Sequence, residues 1–397
     1  MYIAILILLG FSSLYLILLT VMTLIYRPGR KKTGQPTNSL AKSDYPWVSI
    51  LKPVKGVDDG LEANLESFYH LDYPVYEILF AVDSWQDKEV EIIRRVADRH
   101  PKIYTRILAT GHHPTENPKI HKLTCLESES RGRLLWVTDA NVRVEPDTLR
   151  CLVAEYKVSG ARFIFSPILG AASRTFASLM ENTSLNFFTS GNVITLWKIF
   201  SRPVVVGKSM LIEGAALKTL GGFKYFKDYL AEDYLIGKSF MESGFRVSTD
   251  YTWVANINQR ATIKSFYKRM ARWARLRYQL HRPAYLSEIL LNPIVLALAS
   301  LPLVGAGFWW LAPLAIGVKV LLEYLNFVVV NAQDRGRWQN HLLFPLMVVT
   351  KDLIFLAVYL TPFFSSTVDW RGGRIKVGKN SLICHKPSFE QLIYEEA

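Results

Sequence analysis

Cysteine is scarce in this 397-residue chain: Cys125, Cys151 and Cys384 stand far apart, in no metal-ligand spacing. That excludes a disulfide framework and suggests a reducing compartment. Acidic residues are in deficit, 34 against 47 lysines and arginines, for a net charge of +13. Such an excess suits phosphate-bearing substrates or anionic lipid. Alongside the long apolar runs it reads as charge on the cytoplasmic side, and no nucleic-acid partner is expected. The run Ile3–Tyr26 has no charge at all. It also lacks the positive leader, short core and small-residue cleavage site of a secretory signal, so it is expected to be a retained anchor. His112, His113 and His121 have no carboxylate or cysteine spaced to complete a metal site.

Half of the residues are apolar although 20% are charged, and the mean hydropathy is +0.14. That mixture implies a globular domain joined to membrane spans. Residues 1–26 form the expected N-terminal transmembrane anchor, long enough to cross a hydrocarbon core of about 30 Å. Arg-Pro-Gly-Arg-Lys-Lys follows at 27–32, which places that end in the cytoplasm and the N-terminus outside. Residues 27–47 read as a linker. From 48 to 260, apolar strand-like runs alternate with amphipathic helices at 61–68 and 88–100, which predicts an α/β domain with a parallel sheet. Residues 261–285 are basic, with an apolar stripe at helical spacing, as in a helix lying in a membrane interface with its arginines towards lipid phosphates. Two or three spans are expected within 286–364, and a basic tail over 365–397. The parity of these spans conflicts. An outside N-terminus and three later spans would leave the C-terminus outside, yet Asp-Arg-Gly-Arg at 334–337 and the basic run 370–379 should both be inside. One apolar run is therefore expected to be re-entrant.

Ligands of parallel α/β sheets bind beyond the carboxyl ends of the strands, where two acids fall. Asp83 closes Ile-Leu-Phe-Ala-Val-Asp, and Asp139 closes Leu-Leu-Trp-Val-Thr-Asp. Asp83 reads equally as a helix cap or as a ligand to a base or ribose, with Asp87 as the alternative. Lys119 and Lys122 lie within reach of a diphosphate, or begin a solvated helix behind Pro118. Asp139 is followed at the second position by Asn141 and not by another acid, so a divalent cation, Mg²⁺ or Mn²⁺, would rest on Asp139 and on the substrate's own phosphates. Gly207 is expected to admit a substrate close to the backbone. The tandem acids Glu232 and Asp233 are either first-turn helix residues or, for Asp233, a general base. Arg269 and Arg272 stand one turn apart, spaced to clamp a leaving diphosphate, with Trp273 beside them to stack on a sugar or acceptor. Acids at strand ends followed by a basic-aromatic cluster suit a nucleotide-sugar, its metal ion and an acceptor hydroxyl.

Several of these segments stand in the order seen in ceramide glucosyltransferases: Val-Lys-Gly-Val-Asp at 54–58, Leu-Asp-Tyr-Pro at 71–74, Asn-Pro-Lys-Ile at 117–120, the acid after Leu-Leu-Trp-Val-Thr, Val-Gly-Lys-Ser-Met at 206–210, Leu-Ala-Glu-Asp-Tyr at 230–234 and Arg-Met-Ala-Arg-Trp at 269–273. From about Val48 to Trp370 the chain resembles that family. The resemblance implies a glycosyltransferase-A (Rossmann-like) fold, a UDP-sugar donor, a lipid acceptor and inversion at the anomeric carbon. It assigns the family's aspartates to Asp83, Asp139 and Asp233, the last as proton acceptor, and leaves Asp87 as a candidate beside Asp83. It places the family's Arg-x-x-Arg-Trp motif on Arg269 to Trp273. Lys119 and Glu232 are expected to contact the donor, and the flanking charges place the catalytic domain on the cytoplasmic side of an integral membrane protein. A transferase acting on hopanoid lipids shares the same architecture, as does, more distantly, a processive polysaccharide synthase.

Overall fold

The computed structural model describes residues 2–29, 45–111, 113, 116–249, 252–304, 309–331, 333–370 and 373–384. Most of the expected linker, His112, Gly305, Gly307 and the last thirteen residues of the expected tail lie outside these. The charge-free run is a single helix, α1 (Tyr2–Ile25), about 36 Å long at 1.5 Å per residue. The α/β domain then opens with β1 (Val48–Pro53), α2 (Leu61–Glu66), β2 (Tyr76–Val82), α3 (Lys88–Arg99), β3 (Thr105–Ala109), α4 (Pro118–Glu129) and β4 (Leu134–Thr138). β3, β2, β1 and β4 are parallel neighbours, in register Ile78↔Thr105, Val48↔Tyr76 and Val48↔Leu134. The side chains of β1, β2 and β4 are buried on both faces, which is why these strands read as largely apolar runs; β3, at the sheet edge, is only partly buried and leaves Arg106 exposed.

Two features differ from a purely parallel expectation. The run Leu134–Val144 is not one strand. β4 ends at Thr138, and β5 (Val142–Arg143) turns away to pair with a second sheet. After α5 (Thr148–Ser159), β6 (Phe163–Phe165), β7 (Ile168–Ala171), α6 (Phe176–Ser184), α7 (Ser190–Phe200) and β8 (Ser209–Glu213), the main sheet continues with β8 antiparallel to both β4 and β6. Its order is β3-β2-β1-β4-β8-β6, closed by β9 (Val247–Thr249) beyond α8 (Gly214–Thr219) and α9 (Glu232–Glu242). β10 (Val254–Ile257) lies between β5 and β7 in the second sheet.

The charge-poor stretch from Ala172 to Phe200 is α6, a π turn over Leu185–Thr189, and α7. It is mostly buried, and Phe187 packs on Leu16 and Leu19 of α1. α10 (Ile263–Leu280) is the expected amphipathic helix, opened by a reciprocal Thr262–Ser265 capping box. Its apolar stripe, however, faces protein: Phe266, Met270 and Ala274 sit in one cluster with Met180, Tyr285 and Phe344. Several of its arginines are paired within the protein while remaining partly exposed, Arg269 with Glu181, Arg275 with the Ser365 carbonyl and Arg277 with Glu288. The chain continues as α11 (Arg282–Ser287), α12 (Pro293–Val304), α13 (Leu311–Val330) and α14 (Trp338–Phe364). By length and composition α1, α13 and α14 are each able to cross a membrane, and the run 282–302, bent by 72°, can form a fourth crossing. The expected basic tail is in part folded. β11 (Thr367–Trp370), β12 (Gly373–Val377) and β13 (Ile383–Cys384) form an antiparallel sheet whose Val368, Val377 and Ile383 pack on Leu230.

Candidate active site

Two of the acids, Asp83 and Asp139, are delivered where a strand stops, and the other two at the start of a helix. β2 presents Asp83, whose Oδ1 lies 2.6 Å from Lys122 Nζ and whose Oδ2 lies 3.1 Å from Lys55 Nζ. Burial pushes its carboxyl up, but the two ammonium groups outweigh this and hold it below its ordinary value. Asp87 does something else: its Oδ2 accepts from the Ser84 backbone N–H at 2.9 Å and fixes the turn into α3.

β4 presents Asp139. Lys119 Nζ is 3.0 Å from its Oδ1 and Lys208 Nζ 2.8 Å from its Oδ2. Burial again opposes the charge, and the lysines prevail, keeping the carboxyl well below the usual carboxylate range. Asn141 directs Oδ1 at the same lysine, Lys208, at 2.8 Å, and is itself held by Asn256.

α9 begins at Glu232, so both tandem acids do lie in a first helical turn. They face different partners. Glu232 is buried, accepts from Asn117 Nδ2 at 3.0 Å and lies 3.3 Å from Lys119 Nζ. Burial raises its carboxyl, with Lys119 opposing and the Asp233 charge adding to the rise. Asp233 Oδ2 accepts from the Gly207 N–H at 2.7 Å, and Oδ1 from the Tyr234 N–H at 2.8 Å. The close approach at Gly207 is therefore made by the site itself: a Cβ there would meet Lys119 Nζ at 2.9 Å and Asp233 Oδ2 at 3.0 Å. The start of α9 is pinned from outside the domain, since Ser381 accepts from Leu230 N–H through its carbonyl and from Ala231 N–H through its hydroxyl.

α10 brings the arginines from the other side. Arg269 pairs with Glu181 and donates to Asn258 Oδ1 at 3.0 Å. Eight of the nine predicted residues, Asp83, Lys119, Asp139, Glu232, Asp233, Arg269, Arg272 and Trp273, line a single cavity of about 2070 Å³, and Asp87 does not. The cavity runs on past Phe187 and Leu280 to Tyr15 of α1 and Tyr359 of α14, two helices long and apolar enough to cross a membrane. Among the lining residues that the sequence reading did not single out are Lys55, Lys208 and Glu181. Lys208 stands inside Val-Gly-Lys-Ser-Met, and Glu181 is the lone acid between Ala172 and Phe200, which was its signal.

The oxygen donors fit a hard divalent cation in part. Asp139 and Asn141 offer a carboxylate and an amide oxygen close together, and a bound diphosphate would supply the rest. Among the described residues the one group of three potential metal ligands, Glu66, His70 and His100, lies away from this cavity.

A parallel-rich sheet that ends in acids over a basic cavity, closed by an Arg-x-x-Arg-Trp helix, defines a glycosyltransferase of the A-type fold with membrane-capable helices. The chain belongs to glycosyl transferase family 21, whose model matches residues 5–383. Ceramide glucosyltransferase 1 of Caenorhabditis elegans is 25% identical over 93% of this chain and 80% of its own length. Ceramide glucosyltransferase 3 of the same organism is 24% identical over 83% and 72%. Among solved structures, the mannosyltransferase PcManGT from Pyrobaculum calidifontis, in complex with GDP-Man and Mn²⁺, is 17% identical over 88% of this chain and 98% of that one, with a TM-score of 0.48.

Proposed function

We propose that the protein transfers glucose from UDP-glucose to the primary hydroxyl of ceramide, with inversion at the anomeric carbon, on the cytoplasmic face of a membrane. The observation that carries this reading is the shape of the cavity. Its polar end holds Asp83, Asp139 and Asp233, and its other end is walled by side chains of the membrane-capable helices. A soluble acceptor has no need of that second end. The names of the relatives supply the sugar and the lipid.

The roles proposed for the residues are each supported by their contacts. Asp83, fixed between Lys55 and Lys122, accepts hydrogen bonds from the base or ribose. Asp139 and Asn141, with the donor's phosphates, would hold Mg²⁺ or Mn²⁺, which neutralises charge on the diphosphate when bound. Lys119, Lys208, Arg269 and Arg272 supply further positive charge for the departing UDP. Asp233 takes the proton of the acceptor hydroxyl as its oxygen bonds to the anomeric carbon and the carbon–diphosphate bond breaks. The two backbone N–H donors keep its carboxylate aimed. Trp273, partly buried against the core, offers a stacking face to the sugar.

The test is transfer from radiolabelled UDP-glucose by detergent-solubilised protein, with ceramide and a hopanoid polyol as separate acceptors. Labelled glucosylceramide is the expected product. Label on the polyol alone, or only with another UDP-sugar, refutes the substrate assignment and keeps the fold. Asp233→Asn is expected to abolish turnover and largely spare UDP-sugar binding; retained chemistry with lost binding would refute the base assignment.

A further inference from the structure

α14 is long and apolar enough to cross a bilayer, but the chain at both of its ends is fastened to one domain. α1 and α13 run parallel. Leu9 packs with Leu311 and Ala315 at one end. At the other, Asn326 Nδ2 donates to Thr23 Oγ1 at 2.6 Å, and Val330 clusters with Trp253 and Tyr26. Trp253 Nε1, from the catalytic domain, donates to the Tyr26 carbonyl at 2.7 Å. Both helices thus finish at the catalytic domain, and the chain leaving Val330 is on that domain's side.

It stays there. Four residues before α14 starts, Asp334 accepts from the Ser173 N–H at 2.8 Å and the Ser173 hydroxyl at 2.6 Å, and Arg337 donates to the Ser173 carbonyl at 2.6 Å. Directly after α14 ends, the Ser365 carbonyl accepts from Arg275 Nε at 3.0 Å. Three residues later Val368 is buried with Leu230, two positions before the tandem acids at 232 and 233. Ser173 and Leu230 both belong to the catalytic domain. A crossing helix would have to hold its ends on opposite sides of a hydrocarbon core about 30 Å thick. Twenty-seven residues, about 40 Å, instead bridge two points on one domain.

The side chains divide in the same sense. Lys351 and Asp352, in mid-helix, turn to the protein: Asp352 lies 2.5 Å from Lys319, and Lys351 pairs with Glu323 of α13. On the other face Leu342, Leu346, Leu353, Leu360 and Phe364 form one exposed stripe along the whole helix. From these contacts we infer that α14 does not cross the bilayer. It lies within the leaflet on the catalytic domain's side, with that stripe in the acyl chains and Lys351 and Asp352 against α13. The two basic segments at 334–337 and 370–379 then lie on one side, beside the same lipid phosphates. The parity conflict in the sequence disappears, with α14 as the apolar run that does not span. The inference rests on the reading of α1 and α13 as spans, not on which compartment the domain faces.

The experiment labels single cysteines in sealed vesicles with a membrane-impermeant maleimide, in the full chain with Cys125, Cys151 and Cys384 changed to serine. Glu91→Cys reports the catalytic domain and Trp309→Cys the far end of α13; Gly336→Cys and Lys379→Cys flank α14 and are exposed. The expected result is that positions 91, 336 and 379 label from one side and 309 from the other. Labelling of 336 and 379 from opposite sides, with 91 and 309 still opposed, overturns the inference and leaves the spans intact. If 91 and 309 label from the same side, the spans themselves fall, and the inference with them. Should the cysteine-free chain not fold, protease sites inserted after Gly336 and Lys379 in the native chain give the same readout.

Discussion

Gly207→Ala tests whether the position of Asp233 limits the chemistry. Gly207 is in no left-handed conformation, so alanine brings a contact problem and not a backbone one. The new methyl carbon would stand 3.0 Å from both Asp233 Cβ and Oδ2, and 2.9 Å from Lys119 Nζ. Unbonded heavy atoms settle at about 3.5 Å or more, so something must give by roughly half an ångström. Lys119 Nζ is the far end of a flexible chain and can shift, though Asp139, Glu232 and the Gly207 carbonyl hold it, so a small loss of donor affinity accompanies the shift. Asp233 is bonded through Oδ2 to the Gly207 N–H and through Oδ1 to the Tyr234 N–H, so its carboxylate is displaced against two fixed donors. A misplacement of about 1 Å in a reacting group costs on the order of 100-fold. Half of that is expected to lower kcat by roughly tenfold, about 1.4 kcal/mol of barrier. The fold should lose only about 1–3 kcal/mol to overpacking. The assay is steady-state transfer to lipid with donor and acceptor varied separately, together with donor Kd by calorimetry and Tm in detergent. A fall in kcat with donor Kd and fold nearly unchanged supports the argument. An unaltered kcat would show that the aim of this carboxylate is not what Gly207 protects.

Glu181→Gln leaves Arg269 with a neutral partner in place of a buried carboxylate; it is expected to lower kcat several-fold with little change in donor KM, while Glu181→Ala costs more, and equal effects of the two would deny Glu181 a positioning role. Glu232 should shape the acid limb of donor binding. Its carboxyl is raised by burial, so as pH falls it takes up a proton above the ordinary value of 4.5. Lys119 then loses one partner while Asp139, held low, keeps its charge. Donor affinity is expected to change over that interval in the native protein and to stay flat in Glu232→Gln, as read by calorimetry across pH. Lys351→Met strands Glu323 without its nearest cation and is expected to cost about 3–5 kcal/mol, seen as a large fall in Tm; Lys351→Met with Glu323→Gln keeps the Lys319–Asp352 pair and should recover most of the loss.

The strands that deliver Asp83 and Asp139 were legible because a parallel sheet buried on both faces leaves an unbroken apolar run, and the first polar residue after it marks the strand's carboxyl end. Strand direction leaves no such mark. Ser209–Glu213 has the burial of its neighbours yet runs against them, and an apolar run reads the same either way. Spacing could not separate Asp83 from Asp87, since both follow one strand and precede one helix. The choice lies in the Ser84 N–H, which takes up Asp87, and in Lys55 and Lys122, which arrive at Asp83 from elements far along the chain. Glu181 was hidden for the same reason: its partner, Arg269, comes 88 positions later.

The membrane helices and the site share parts, and this constrains how each can change. α10 presents Arg269, Arg272 and Trp273 to the cavity while Phe266, Met270 and Ala274 pack against α14 and its neighbours. The sheet that follows α14 holds Leu230 and Ala231 through Ser381, one turn or less from Asp233. A helix free to tilt across a bilayer would drag both contacts with it. A helix seated along one leaflet, tied to Ser173 just before its start and to Leu230 through the sheet just after its end, keeps Asp233 and the arginines in one frame while leaving the cavity open towards the acyl chains. The catalytic geometry thus favours the in-leaflet placement of α14 independently of charge parity, because the attachments that forbid a crossing are also those that hold the ends of the site together.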